Sequence, residues 1–560
     1  MKSMTNGWLR HSLAVAAALL VAGFAAPVWA AFELPEGEKI TNLPHIPRAI
    51  PQKEAYEIYD PKIGKNFDIK NFWMRADLRV RPEWRKNTCF GSNIAGGACN
   101  AAGTTANRIA GKPANDFYVQ QWARLGIGYD LSPDVNFYME IIDGATWGGN
   151  GTALNAGNGG DPLNHACGNT TPTAAAGTNC RLGVRAAYML VRNLGGVQGL
   201  SMKAGRQYVI FGNHSLFGHF DWANTGYSHD GLMFAYQTKS FDSYLGWFRN
   251  AETDIAQNAA VGSLGPNVGG GTSSATTASG DVDMFIFYNQ IKSVPGFVIE
   301  PYYVFYSNRL GSADNRGQGL GSAKHSNQLR HMVGNRIEMR KGNFDFIQET
   351  SYQFGSMGDS AATNTLGNGG NTEQRNLHIN AWAMRNWIGY THYQSAYKPR
   401  LAFNLDYASG DSKANCTLAA AYGACKSANT FENFFPTNHI HMGYMDVMAW
   451  KNMMSPAANF QMRPSKNDHV ELWYSNFNLA NKEDNWYRAA QGVYVFSKAG
   501  NTKKHIGDEY DITWTHMFAD GKVSLQATYG LLQTGGYIKE NLGSIAQNQH
   551  WGFLQLWMNF

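Results

Sequence analysis

Apolar and polar residues alternate with a period of two along most of this chain, and that alternation constrains its fold more than any other feature. In 72–85 the even positions carry Phe72, Met74, Ala76, Leu78, Val80 and Trp84. The odd positions carry Trp73, Arg75, Asp77, Arg79, Arg81, Glu83 and Arg85. A β-strand sends successive side chains to opposite faces, so one face here suits lipid and the other a wet interior. A one-sided soluble sheet would show the same pattern in one strand, so the number and spacing of strands decide. Eighteen strands are expected near 71–85, 116–130, 133–143, 181–192, 198–208, 229–237, 241–250, 281–290 and 296–307, then 328–341, 343–354, 376–390, 398–408, 455–463, 469–477, 506–517, 521–532 and 550–560. Most are long enough to cross a bilayer at a tilt, which takes about 9–11 residues.

The connections also alternate. Short turns such as Lys239-Ser240, Lys341-Gly342 and Asp520-Gly521 take turns with long segments rich in Gly, Asn, Ser and Thr, such as Gly144 to Cys180 and Ala251 to Gly280. Short periplasmic turns with long extracellular loops are the habit of bacterial outer-membrane barrels. The composition agrees, with Gly 61, Phe 30, Tyr 27 and Trp 16 at a mean hydropathy of -0.36. Leu554, Leu556, Met558 and Phe560 share a face of the last strand, which ends on an aromatic residue. The fold expected is all-β, a transmembrane antiparallel β-barrel of about 18 strands over 71–560, in the bacterial outer membrane with both termini periplasmic.

Two segments precede it. Lys2 and Arg10, the apolar run Leu13 to Ala26 and the small-residue site Val28-Trp29-Ala30 read as a secretory signal peptide over 1–30. The apolar run is shorter than the roughly 20 residues a helical anchor needs. Pro35, Pro44, Pro47, Pro51 and Pro61 make 31–70 an extended, Pro-rich N-terminal segment, either a periplasmic tail or folded into the barrel mouth. The net charge of +5 is too mild to imply nucleic acid. Six cysteines fall in three local pairs, Cys89 with Cys99, Cys167 with Cys180 and Cys416 with Cys425, all in the long loops. Oxidation in the periplasm makes disulfides the expected state.

Several motifs in one order resemble the alginate export porin family: Lys203 to Gln207, Phe217-Gly218-His219-Phe220-Asp221-Trp222, His229-Asp230-Gly231 and Glu349 to Gly355. Ala381-Trp382-Ala383, Tyr407-Ala408-Ser409-Gly410-Asp411, Phe434-Phe435-Pro436-Thr437 with His439, and Gly507 to Asp511 follow. The resemblance implies a monomeric eighteen-stranded barrel with an electropositive, arginine-rich constriction that passes a polyanionic uronate polymer.

Strand parity supplies the residues expected to line the pore. They are Arg75, Asp77, Arg79, Arg81, Arg124, Glu140, Arg185, Lys203, Arg330, Arg336, Glu338, Arg340, Glu349, Asp406, Glu509 and Asp511. Arg206 joins them if a bulge at Gly205 re-aims it. Guanidinium groups in a ring select anions, although Arg and Glu on facing strands also simply cross-link a barrel interior. Trp122, Trp473 and Trp557 share the inner parity. His214 and His219 flank Ser215 without the acid that a nucleophile's base requires, so no enzyme is expected. No cofactor is expected either; oxygen-rich loops around Ser409-Gly410-Asp411 have donors that suit calcium, but solvated loop chemistry is the preferred reading. The expected function is passage of an anionic polysaccharide, with a general porin for small anionic solutes and a non-transporting binding barrel as alternatives. Expected partners are the lipid bilayer and lipopolysaccharide, the outer-membrane assembly machinery and periplasmic export components.

Overall fold

The computed structural model describes residues 71–91, 94–95, 98–99, 115–147, 182–223, 226–251, 282–308, 328–358, 376–412, 427–489 and 501–559. The expected leader, the Pro-rich segment, Cys167, Cys180, Cys416 and Cys425 lie outside them. Cys89 is disulfide-bonded, and Cys99 ends a small hairpin of Ile94–Ala95 with Ala98–Cys99.

Eighteen antiparallel strands close into a barrel. In chain order they are β1 (Phe72–Lys86), β2 (Asp116–Ser132), β3 (Val135–Thr146), β4 (Leu182–Val191), β5 (Leu200–Gln207) and β6 (His229–Gln237). Next come β7 (Phe241–Ala251), β8 (Val282–Ile291), β9 (Phe297–Asn308), β10 (Gln328–Lys341), β11 (Phe344–Gly358) and β12 (Asn376–Thr391). The last six are β13 (Arg400–Ala408), β14 (Met453–Met462), β15 (Asp468–Leu479), β16 (His505–Phe518), β17 (Val523–Thr534) and β18 (Gln549–Asn559). Each pairs with its neighbours in sequence, and β1 closes the ring on β18, with Asp77 opposite Asn559 and Lys86 opposite His550. A two-residue strand, Ser427–Ala428, adds a parallel pairing to β12 beside His378 and Ile379.

Every expected strand is present, with ends displaced by a few residues. No described helix is long and apolar enough to cross a membrane. Closure answers a physical demand, because hydrocarbon supplies no partner for an unpaired backbone N–H or C=O. The turns at one end are tight. Gly342 takes φ 58° with nothing near its α-carbon, so backbone conformation alone asks for glycine there.

The two faces differ as alternation requires. Leu78, Leu245, Phe285, Ile388, Phe403 and Leu556 are exposed on the outside, as are Tyr474, Trp514 and Tyr529. Trp122, Trp473 and Trp557 are buried in the interior. An arginine at Leu78, near the middle of β1, should cost ~2–4 kcal/mol of folding free energy, whereas one at Phe518, on the rim, should cost about 0–1. Denaturant titration of the two variants refolded in lipid vesicles checks this; equal losses would contradict the assignment of faces.

Candidate functional site

Sixteen of the parity-assigned residues stand on one side of the sheet, with their side chains turned into the lumen; all but Arg75 are buried. Arg206 does not join them. The β5–β6 register runs without a break from Lys203 opposite Met233 to Arg206 opposite Asp230. Gly205 has φ 120°, yet no bulge re-aims its neighbour. Arg206 therefore stands on the outer face, bonded to the exposed Asp230 at 2.9 Å.

Two loops occupy the lumen: the described part of 208–228, between β5 and β6, and the described part of 409–452, between β13 and β14. They are joined backbone to backbone. Gly218 N donates to Phe435 O at 2.9 Å, Phe435 N to Leu216 O at 2.9 Å and Thr437 N to His214 O at 2.9 Å. The Trp222 and His439 rings stack 3.7 Å apart, and Asp446 accepts from both, at 2.8 Å from Trp222 Nε1 and 3.0 Å from His439 Nδ1. Burial holds His439 below the ordinary imidazole range, against the pull of Asp446. The neutral ring then donates from Nδ1. Ser215 spends its hydroxyl on Asn213 and accepts from Arg385 at 2.8 Å.

The wall of β1, β2 and β4 holds this plug through cations. Arg79 donates to the main-chain carbonyls of Asp221, Trp222 and Ala223. Arg81 donates to Trp222 O at 2.9 Å and lies 3.4 Å from the centre of the Trp222 ring. Arg124 and Arg185 reach the Asp221 carboxylate, at 3.1 and 2.7 Å. Acids on β1 and on the intervening β3 offset part of the charge: Asp77 sits 2.9 Å from Arg124, Glu83 2.7 Å from Arg81, and Glu140 of β3 3.5 Å from Arg75.

The wall of β15 and β16 holds the plug through carboxyl groups. Glu471 accepts from Tyr444 OH at 2.9 Å, Glu509 from Met445 N at 3.0 Å and Asp511 from Tyr444 N at 3.4 Å. Gly443 (φ 77°) allows this approach, because a Cβ there would run into Glu509. A third contact comes from β11, where Gln353 bonds both the N–H and the C=O of Glu432. The plug is thus held between a wall of guanidinium groups and a wall of carboxyl groups.

Other inward arginines form ion pairs between strands, Arg385 while also bonding Ser215 of the first loop. Arg336 bridges Glu300 and Glu338, Arg385 forks onto Asp406, and Arg400 onto Asp345. Glu300, Asp345, Arg385 and Arg400 were legible by the same parity. Asp221 and Asp446 were not, since irregular loops have no period. Removing one member of a buried pair strands the other's charge, so Arg336→Met should cost about 3–5 kcal/mol, read as a shifted denaturation midpoint.

A family model described as alginate export matches residues 179–552. The chain belongs to the alginate export family. That membership and the closed barrel make it an outer-membrane porin or exporter, a transport channel and not an enzyme. None of the curated proteins matches its sequence. Among solved structures it is similar to OccAB1 of Acinetobacter baumannii (11% identity, 87% of this chain and 96% of that one, TM-score 0.47). It is also similar to OccK9 (OpdG) of Pseudomonas aeruginosa (10% identity, 88% and 99%, TM-score 0.48).

The root of this alginate-export barrel's inner loop carries two carboxyls in contact with one network. Asp411 N donates to Asp484 at 2.9 Å, Thr430 Oγ1 bonds both side chains, Asn429 donates to Asp411, and Tyr487 and Asn485 N donate to Asp484. Burial, then the neighbouring Asp484, pushes the Asp411 carboxyl up to about 7; burial also raises Asp484. A free aspartate ionises near ~3.9, so the folded loop holds the extra proton. Its anchorage is complete at low pH and declines as pH climbs towards 7 and beyond. Protection of the Asn429 amide, corrected for intrinsic exchange, should fall between about pH 5 and pH 8. Asp484→Asn should flatten that dependence, and a flat parent profile would rule it out.

Proposed function

We propose that this barrel passes an anionic solute of the polyuronate class through an arginine-lined lumen. The observation that carries the reading is the cationic wall: Arg75, Arg79 and Arg81 on β1, Arg124 on β2 and Arg185 on β4 share one side of the lumen. Planar forked donors suit carboxylates, and a row of weak contacts lets a polyanion slide without lodging. Arg79 and Arg124 both lie on the Trp122 ring, 3.8 and 4.2 Å from its centre, which holds their forks in place. Membership of the alginate export family supports the same solute class.

A second reading, passage of small anions, is favoured by the two loops that span the lumen. A polymer needs them moved aside; a small anion needs only gaps between them. The bilayer, lipopolysaccharide, the assembly machinery and periplasmic export components remain the proposed partners, and Cys89 with Cys99, Cys167 with Cys180 and Cys416 with Cys425 the proposed disulfides.

Planar-bilayer conductance of the purified barrel separates the readings. Anion-selective current blocked by oligogalacturonate is the expected result. Current indifferent to the oligomer would leave the small-anion reading, and absence of current would remove both. Arg75→Gln with Arg79→Gln should reduce anion over cation permeability several-fold in a barrel whose heat-modifiable mobility is unchanged.

A further inference from the structure

The acids on the cationic wall differ in where they come from. Asp77, Glu83 and Glu140 belong to strands and cannot leave. Asp221 belongs to loop 208–228, and it sits where two guanidinium groups converge. Arg185 Nη2 is 2.7 Å from one carboxylate oxygen and Arg124 Nη1 3.1 Å from the other, with all three side chains buried. Other bonds between the loop and this wall use neutral groups of the loop: Arg79 and Arg81 donate to its main-chain carbonyls, Arg185 donates to His219 O at 2.9 Å and to the Tyr208 hydroxyl at 3.3 Å, and that hydroxyl donates to Glu140 of β3. Gly226, at φ 61°, lets the Arg185 guanidinium lie against the backbone, where any Cβ would collide with it.

From this geometry we infer that Asp221 is a resident stand-in for the solute. Arg124 and Arg185 form a carboxylate-binding site that Asp221 fills at rest, and a uronate carboxylate releases loop 208–228 by taking its place. The inference rests on the anionic-solute reading and adds to it the site, the competitor and the release.

Two consequences follow from the same contacts. Release of Asp221 reaches the second loop, because Gly218 and Phe435 are bonded through their main chains and Trp222 is bonded to Asp446. Competition also depends on chain length. Asp221 is tethered, with an effective concentration on the order of millimolar for a short linker. A monomeric uronate must exceed that to displace it. An oligomer brings several carboxylates to neighbouring arginines at once, so each later contact forms within a complex already made.

The test compares the parent barrel with Asp221→Asn and Arg185→Gln in planar bilayers, using galacturonate, trigalacturonate and neutral maltotriose. Heat-modifiable mobility checks that each variant is folded. In the parent, trigalacturonate should act at concentrations at least about tenfold below galacturonate, and maltotriose should have no effect. Both variants should raise the basal conductance, since each breaks the clamp. They should split on affinity: Asp221→Asn should bind trigalacturonate about tenfold tighter, and Arg185→Gln several-fold weaker than the parent. An anion-selective parent blocked by trigalacturonate, whose two variants change affinity in the same direction or not at all, would make Asp221 a structural cross-link and end the stand-in role alone. A parent with no anion preference and no trigalacturonate effect would remove the solute reading together with it.

Discussion

Pairing of β1 with β18 is the contact on which everything else depends. A sheet in hydrocarbon has no water to satisfy an edge, and each unpaired backbone group costs several kcal/mol there. Joining the first strand to the last removes both edges at once. Closure then creates an inside and an outside that exchange side chains with every residue. The outer face carries Leu78, Phe403 and Leu556 into lipid, while the adjacent inner positions Arg79, Asn404 and Gln555 are buried in the barrel.

An enclosed polar interior sets its own condition. Charges there are shielded from bulk solvent, so they are arranged in pairs and networks. Arg336 between two glutamates and Arg400 on Asp345 are the local solution. The cationic wall is different, because part of its charge meets the carbonyls and the one carboxylate of a loop that arrives from elsewhere in the chain. The wall of β15 and β16 presents carboxyl oxygens to the main-chain N–H groups of the second loop. A peptide segment has a donor and an acceptor at each residue, and a guanidinium wall and a carboxyl wall grip those two kinds of group. The plug is seated by this division, with the stacked Trp222 and His439 rings and the shared Asp446 at the junction of the loops.

Legibility in the sequence followed regularity. Strand number, order and face assignments came from a period of two that lipid on one side and water on the other enforce residue by residue. Arg206 follows the same rule: its parity points outward, and unbroken pairing of β5 with β6 through Asp230 keeps it outside despite the neighbouring Gly205. Glu300, Asp345, Arg385 and Arg400 could have been found by parity alone. The Phe217 to Trp222 and Phe434 to His439 motifs stood out only through their resemblance to a family, without showing what they touch.

The sequence by itself determined the barrel, because each strand's alternation is a local property written in adjacent residues. Which residues of the lumen carry function was decided by tertiary structure. Asp221 and Arg185 are 36 positions apart, Gly218 and Phe435 meet across a far longer separation, and no local pattern records either encounter. Those contacts exist because closing the ring brings β1, β2, β4, β15 and β16 around one space and directs two irregular loops into it.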